Sequence, residues 1–125
     1  MNLLLDTHAL LWWLADADDL KLAAREAIAD PERLVYVSAV SVWEIVIKKA
    51  LGKLEVPDDL PAVLEAEPFQ HLDMTIEHAF KVSELPMHHR DPFDRLLVAQ
   101  CLVDGLTLVT QNADIVRYDV PTLAT

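Results

Sequence analysis

A carboxylate at the start of an apolar helix is the first sign of chemistry in this sequence. From Phe93 to Val103 only Asp94, Arg95 and Gln100 are polar, so the segment reads as a helix buried nearly all round. Asp91 already fills the N-cap: its side chain can accept the first free N–H groups, while Pro92 sits at N1, where a missing N–H costs nothing. Asp94 then falls at N3, where a local capping role aided by the helix dipole competes with a role in a site. Two further acids stand in comparable places. Asp6 ends the aliphatic run from Asn2 to Leu5 and precedes an apolar stretch; it can cap the helix that follows, with Thr7 a competing cap. Glu44 lies in the first turns of a helix after the run Leu34 to Val37, between Trp43 and Ile45. A capping box with Ser41 and an exposed pair with Lys48 at i+4 both account for it locally, but the bulky apolar surface around it argues against simple exposure. Asn112 and Asp114 follow a third aliphatic run, Leu106 to Val109.

Carboxylates gathered at one place raise at least one pKa by mutual repulsion unless a cation neutralises them. Oxygen donors without sulfur favour Mg²⁺ or Mn²⁺. His88 and His89 lie just before Asp91, but adjacent histidines point apart and no second cysteine or spaced histidine completes a zinc set. They read as loop residues facing solvent or substrate.

The elements that must position these acids alternate. Asn2 to Leu5 reads as a buried strand running into a helix over Ala9 to Ala15. Trp12 and Trp13 lie about 100° apart on that helix, so both are core only if it is covered on two sides, and one of them is a candidate interface residue. A turn at Asp16 to Asp19 leads to a helix over Leu20 to Asp30 with Leu22, Ile28 and the alanines inward, ended by Pro31. Leu34 to Val37 is a second buried strand, and Ser38 or Ser41 caps a helix reaching about Leu51 before Gly52. Lys53 to Pro61 reads as a loop, Ala62 to Glu67 as a short helix and Phe69 to Met74 as an edge strand. Thr75 caps a helix from Ile76 to Glu84. Beyond the central helix, Leu106 to Val109 is a last buried strand, followed by a brief helix through Val116 and an extended tail around Thr122 and Leu123. The pattern predicts an α/β fold with a mainly parallel sheet, in which ligands bind beyond the C-terminal strand ends. Asp6, Glu44 and Asn112 or Asp114 lie at such ends, and Asp94 opens a further helix, so all can converge on one edge.

Composition sets the bounds. The 125 residues suit a single domain, and 53% hydrophobic residues, 25% charged residues and two glycines describe a folded chain. Apolar runs fall short of the roughly 18 residues of a membrane span, and no basic segment marks a signal peptide; a cytoplasmic protein is the expectation. The one cysteine, Cys101, reads as core. A net charge of -11 argues against a broad phosphate-binding surface and favours a basic partner. It leaves room for a nuclease that meets phosphate through a cation.

The blocks Leu-Leu-Leu-Asp-Thr-His, Ser-Ala-Val-Ser-Val-Trp-Glu-Ile, His-Arg-Asp-Pro-Phe-Asp-Arg-Leu-Leu-Val-Ala-Gln and Leu-Val-Thr-Gln-Asn together resemble the PIN-domain family, and within it the toxin ribonucleases of VapBC toxin-antitoxin modules. The resemblance runs nearly end to end. It implies a three-layer fold with helices on both faces of the sheet, and an endoribonuclease that uses Mg²⁺, with Mn²⁺ a substitute. Asp6, Glu44 and Asp94 match the family's three acidic metal-binding positions. Its fourth acid falls on Asn112, a departure, with Asp114 two residues on as a stand-in. The implied chemistry is phosphodiester hydrolysis of single-stranded RNA to 5′-phosphate and 3′-hydroxyl ends. Thr7 and Thr110 are candidates to hold phosphate or water, and Arg95 and His89 to contact substrate. The implied partners are a VapB-like antitoxin and a second copy of the chain, with no membrane. Two rivals belong to other classes: a catalytically weakened PIN-fold protein-binding partner, which Asn112 suggests, and a receiver-like Mg²⁺-binding phosphoacceptor, which a lysine after Val109-Thr110 would have favoured and which lacks it.

Overall fold

Leu3, Leu4 and Leu5 form strand β1 and are all 0% exposed, which a strand achieves only when both faces of its sheet are covered. In the computed structural model, which describes residues 1–125, α1 (Thr7–Leu14), α2 (Leu22–Ala29), β2 (Val35–Ser38), α3 (Ala39–Ala50), α4 (Leu60–Glu65) and β3 (Gln70–Leu72) follow β1. The chain continues through α5 (Ile76–Val82), α6 (Pro92–Asp104), β4 (Thr107–Val109), α7 (Ala113–Val116) and β5 (Thr122–Leu123). The five strands lie in the order β3-β2-β1-β4-β5 and every pairing is parallel, with Leu5 of β1 level with Val37 of β2 and Val109 of β4.

The alternation of side chains along β1 makes the layers. Leu3 and Leu5 meet Ala9 and Leu10 of α1, Ala24 and Ile28 of α2 and Leu60 of α4 on one face. Leu4 meets Leu97, Val98 and Cys101 of α6 and Ile115 of α7 on the other. This is the three-layer α/β arrangement expected. Helix α3 spans both sides, giving Ile45 to the first core and Val40 to the second. No helix is long and apolar enough to cross a membrane.

Strand order decides where a site can form. The chain leaves β1 towards β2 and β3, then begins again at β4 and moves to β5 on the opposite side. Neighbouring strands β1 and β4 therefore send their following segments apart, opening a crevice at their C-terminal ends. Helix α6 starts as predicted, the Asp91 carboxylate accepting from the N–H groups of Phe93 at 2.8 Å and Asp94 at 3.1 Å, and the structure ends it at Gly105 with φ 70°. Gln100, 0% exposed, accepts from the Ser38 hydroxyl at 2.6 Å, fixing α6 to the junction of β2 and α3. His78, 1% exposed, accepts the Thr75 N–H at Nδ1 and lies 2.6 Å from Asp104 at Nε2, pinning α5 to the end of α6. Cys101 is buried in α6, and that burial pushes its thiol pKa well above the usual range.

The structure corrects some local readings and settles two choices of cap that the sequence left open. Leu22 points to solvent at 69% exposure, because the inward phase of α2 is set by Ala24 and Ile28, and a residue two before Ala24 lies about 200° round the helix. Ser38, not Ser41, caps α3, accepting from the Val40 N–H at 3.0 Å. Pro61 does not end a loop but sits in the first turn of α4, where proline is tolerated. Helix α1 begins at Thr7, with Asp6 rather than Thr7 as its cap.

Gly105 offers a check on this frame. A methyl group there would meet nothing within 4 Å, so Gly105→Ala tests backbone conformation alone. It should cost about 1 kcal/mol in urea unfolding, the penalty for a side chain in the left-handed region.

Candidate active site

Each acid is brought to the crevice by a strand end or a helix start. Asp6 follows β1 and caps α1, accepting from the Ala9 N–H at 2.8 Å. Glu44 comes from the second turn of α3, and Asp94 from the first turn of α6. These three line one cleft of about 470 Å³ together with Thr7, His8, Trp12, Lys48, His89, Asp91, Gln111 and Asn112.

The cleft is acidic and partly dry. Glu44 is 4% exposed; its Oε1 accepts from the Thr7 hydroxyl at 2.6 Å and its Oε2 from the Lys48 ammonium. The pairing with Lys48 considered from sequence thus exists, but around a buried carboxylate. Burial raises the Asp6 carboxyl above its ordinary value, opposed by hydrogen bonding to Thr110 and Ala9. Asp94 is pushed up to about 6, chiefly by burial, with the charges of Asp91, Glu44 and Asp6 adding to the rise and the His89 hydrogen bond opposing it. His89 Nε2 lies 2.8 Å from Asp94 Oδ2, and its Nδ1 lies 3.6 Å from Asp114.

The remaining candidates divide. Asn112 lines the cleft, with its Nδ2 3.5 Å from Asp94 Oδ2, while its Oδ1 caps α7 through the Asp114 N–H. Asp114 lies outside the lining, half exposed beyond His89 and 3.9 Å from Arg117. Thr110 is 1% exposed and lies beneath Asp6 rather than on the cleft wall. Arg95 turns away altogether: it donates to the carbonyls of Pro86 and Val82 and to the Tyr118 hydroxyl, and is 8% exposed. It tethers the loop before α6 and does not line the cleft. Sequence reasoning passed over His8, which packs ring against ring at 5.7 Å with Trp12, read there only as a candidate interface residue, and the second place of Asp91, which lines the cleft as well as capping α6. The i, i+3 spacing of Asp91 and Asp94 was the available signal for the latter.

A hard divalent cation suits this donor set. Four carboxylates, two amides and two imidazoles surround the space with no thiolate, and Asp94 is a carboxylate held largely out of water beside three like charges. The most compact group differs from the one expected: His89, Asp91 and Asp94 each present a donor atom within 4.8 Å of the others, whereas Glu44 is occupied by Thr7 and Lys48.

With this geometry in view, comparison with known proteins is informative. Residues 3–121 match the PIN domain. The chain belongs to the PIN-domain family. This PIN domain is 30% identical over 114 residues to Ribonuclease VapC22 of Mycobacterium tuberculosis, covering 89% of the chain and 87% of that relative. Its fold is shared with VapBC2 of Rickettsia felis bound to a promoter DNA fragment, at TM-score 0.75 and 16% identity over 100% of this chain and 99% of that one. It is shared too with DNA-bound VapBC of Salmonella typhimurium, at TM-score 0.71 and 15% identity over 99% and 98%.

The raised Asp94 gives the metal-free PIN domain a defined pH response. Its folded pKa of about 6 lies above the ordinary value of 3.8, so the native state binds the proton more tightly and stability rises as pH falls from above 6 towards 4. Asp94→Asn removes the charge at every pH. In urea melts with EDTA the variant should exceed the parent at pH 7, by at most about 3 kcal/mol for two units of pKa, and the gap should close by pH 4. A gap independent of pH would refute the assignment.

Proposed function

We propose that this PIN-domain protein is a divalent-metal-dependent endoribonuclease acting as the toxin of a VapBC-type toxin-antitoxin pair. The observation that carries this reading is the meeting of Asp6, Glu44 and Asp94 on one cleft where the parallel sheet parts, and the resemblance to Ribonuclease VapC22 over most of the chain supports it. Mg²⁺, or Mn²⁺ in its place, would be held by Asp6, Glu44 and Asp94, with Asn112, His89 and Asp91 as further donors. When bound, such a cation would supply Lewis-acid polarisation of a phosphate and a water of lowered pKa, the chemistry of a hydrolysis that gives 5′-phosphate and 3′-hydroxyl ends.

The chain's own groups prepare that chemistry. Thr7, 3% exposed, holds one Glu44 oxygen in a fixed direction. His89 fixes the Asp94 carboxylate from the loop side, with its own N–H anchored on the Tyr118 hydroxyl at 3.1 Å. The His8–Trp12 pair offers the rim an aromatic surface on which an unpaired base can stack, which favours single-stranded RNA.

A second, larger groove suits the antitoxin. It measures about 1020 Å³, is lined by Val42, Val46, Leu60 and Leu64, and carries Asp58, Glu65 and Asp73. An amphipathic basic segment would bury its apolar face there and set its charges against those acids, and both solved neighbours above are VapBC assemblies. For self-association, α5 presents Ile76 and Phe80, 77% and 70% exposed and one turn apart, in place of the tryptophan pair; Trp13 instead packs against Phe69 at 6.2 Å.

Incubation with single-stranded RNA and Mn²⁺ should give 5′-phosphate ends, abolished by Asp6→Asn, Glu44→Gln or Asp94→Asn. Mn²⁺ at ten times its dissociation constant should add about 1.4 kcal/mol to stability; a melting temperature indifferent to metal, with RNA intact, would refute the nuclease. An inert chain that still captured the antitoxin would favour the weakened binding partner suggested by Asn112. Co-purification from the native host should return a small basic chain with two copies of this one by light scattering, and a lone monomer would overturn both partner assignments.

A further inference from the structure

We propose that Lys48 is a tethered cation, neutralising Glu44 until a divalent ion arrives and then moving to a backbone phosphate of the bound RNA; this rests on the ribonuclease reading above. Lys48 lies one turn beyond Glu44 on α3, with its ammonium on Glu44 Oε2. Such pairs on an exposed helix face contribute little. Here the acid's side chain is 5% exposed and the lysine's 31%, so the ammonium reaches down to a carboxylate that water hardly touches. Without it that carboxylate would keep the Thr7 hydroxyl as its hydrogen-bonding side chain and no opposite charge, a costly state for a buried acid.

The same contact is opposed by like charge once a divalent cation sits on Glu44. Each carboxylate oxygen already has a partner, Thr7 on one and Lys48 on the other, and of the two the ammonium repels a metal ion. It must swing aside on its four-carbon stem, yet the stem is rooted in the cleft wall and the fields of Asp91 and Asp94 also draw it inward. Lys48 is the one permanently cationic residue of that lining. An RNA strand entering a cleft rich in carboxylates brings more phosphate charge than the metal contacts, and Lys48 is the group within reach to meet it. One lysine thereby serves two anions in turn.

The test compares Lys48→Met and Lys48→Arg with Lys81→Met, a charge loss on α5 outside the cleft. Calorimetry with Mn²⁺ alone should show equal or tighter binding in Lys48→Met, because a competing cation is gone. Turnover of a fluorogenic single-stranded RNA should show KM raised about tenfold, with kcat less affected. The salt dependence of kcat/KM should be shallower by about 0.7 in log–log slope, the loss of one phosphate contact on a single strand. Lys48→Arg should stay within about threefold of the parent, since guanidinium also binds phosphate, and Lys81→Met should match it. A Lys48→Met protein with unchanged KM and salt slope, or with weakened Mn²⁺ binding, would overturn the exchange and leave the nuclease standing. If it fails to fold, Lys48→Gln takes its place under the same criteria. An unmodified protein that neither binds Mn²⁺ nor cleaves RNA would overturn the nuclease reading itself, and this proposal with it.

Discussion

Like charge held out of water is the constraint on which the rest of this molecule turns. Asp6, Glu44, Asp91 and Asp94 share one cleft, where Asp6 and Glu44 are buried and a third, Asp94, is driven to a pKa of about 6. Such a cluster opposes folding unless each carboxylate has partners. The chain supplies them locally. Asp6 and Asp91 cap helices, Glu44 takes a hydroxyl and an ammonium, and Asp94 takes an imidazole. These partners orient the acids as well as tolerate them.

That arrangement needs a rigid frame, and the sheet provides it. The opposite directions taken after β1 and β4 open a crevice that no side chain has to carve. Helix α3 reaches both cores through Ile45 and Val40, while Gln100 locks α6 against Ser38 where α3 begins. The two helices that carry Glu44 and Asp94 are thus fixed to each other through a hydrogen bond between fully buried groups. A shift of either helix would break it and leave a buried polar atom unpaired.

Much of this was legible because the decisive signals are local. Asp91-Pro92 announces a helix start, Gly105 its end, and an acid at N3 that no cap requires asks for another explanation. Strand ends followed by Asp6 or Asn112 placed those residues on one edge before any coordinates. What escaped depends on partners far along the chain. Arg95 looked available for substrate because its acceptors, Pro86, Val82 and Tyr118, are fixed only by tertiary packing. His78 and Asp104 lie 26 residues apart, and nothing in either segment announces the pair. Leu22 faces outward because the buried phase of α2 runs through Ala24 and Ile28, while Leu20, just before the helix, takes the core position. Asn112 and Asp114, two residues apart, could not be separated until the cap on α7 turned one inward and the other out.

Cys101 carries a consequence of a different kind. The only thiol of the chain lies 1% exposed in the middle of α6, and burial keeps it in the protonated, unreactive form. A thiol reagent therefore meets this protein only when α6 leaves the core, so the rate of its modification is a clock for opening of the helix that carries Asp94. It also leaves the surface silent to maleimide chemistry, and a cysteine introduced at any exposed position becomes the sole address for a spectroscopic label.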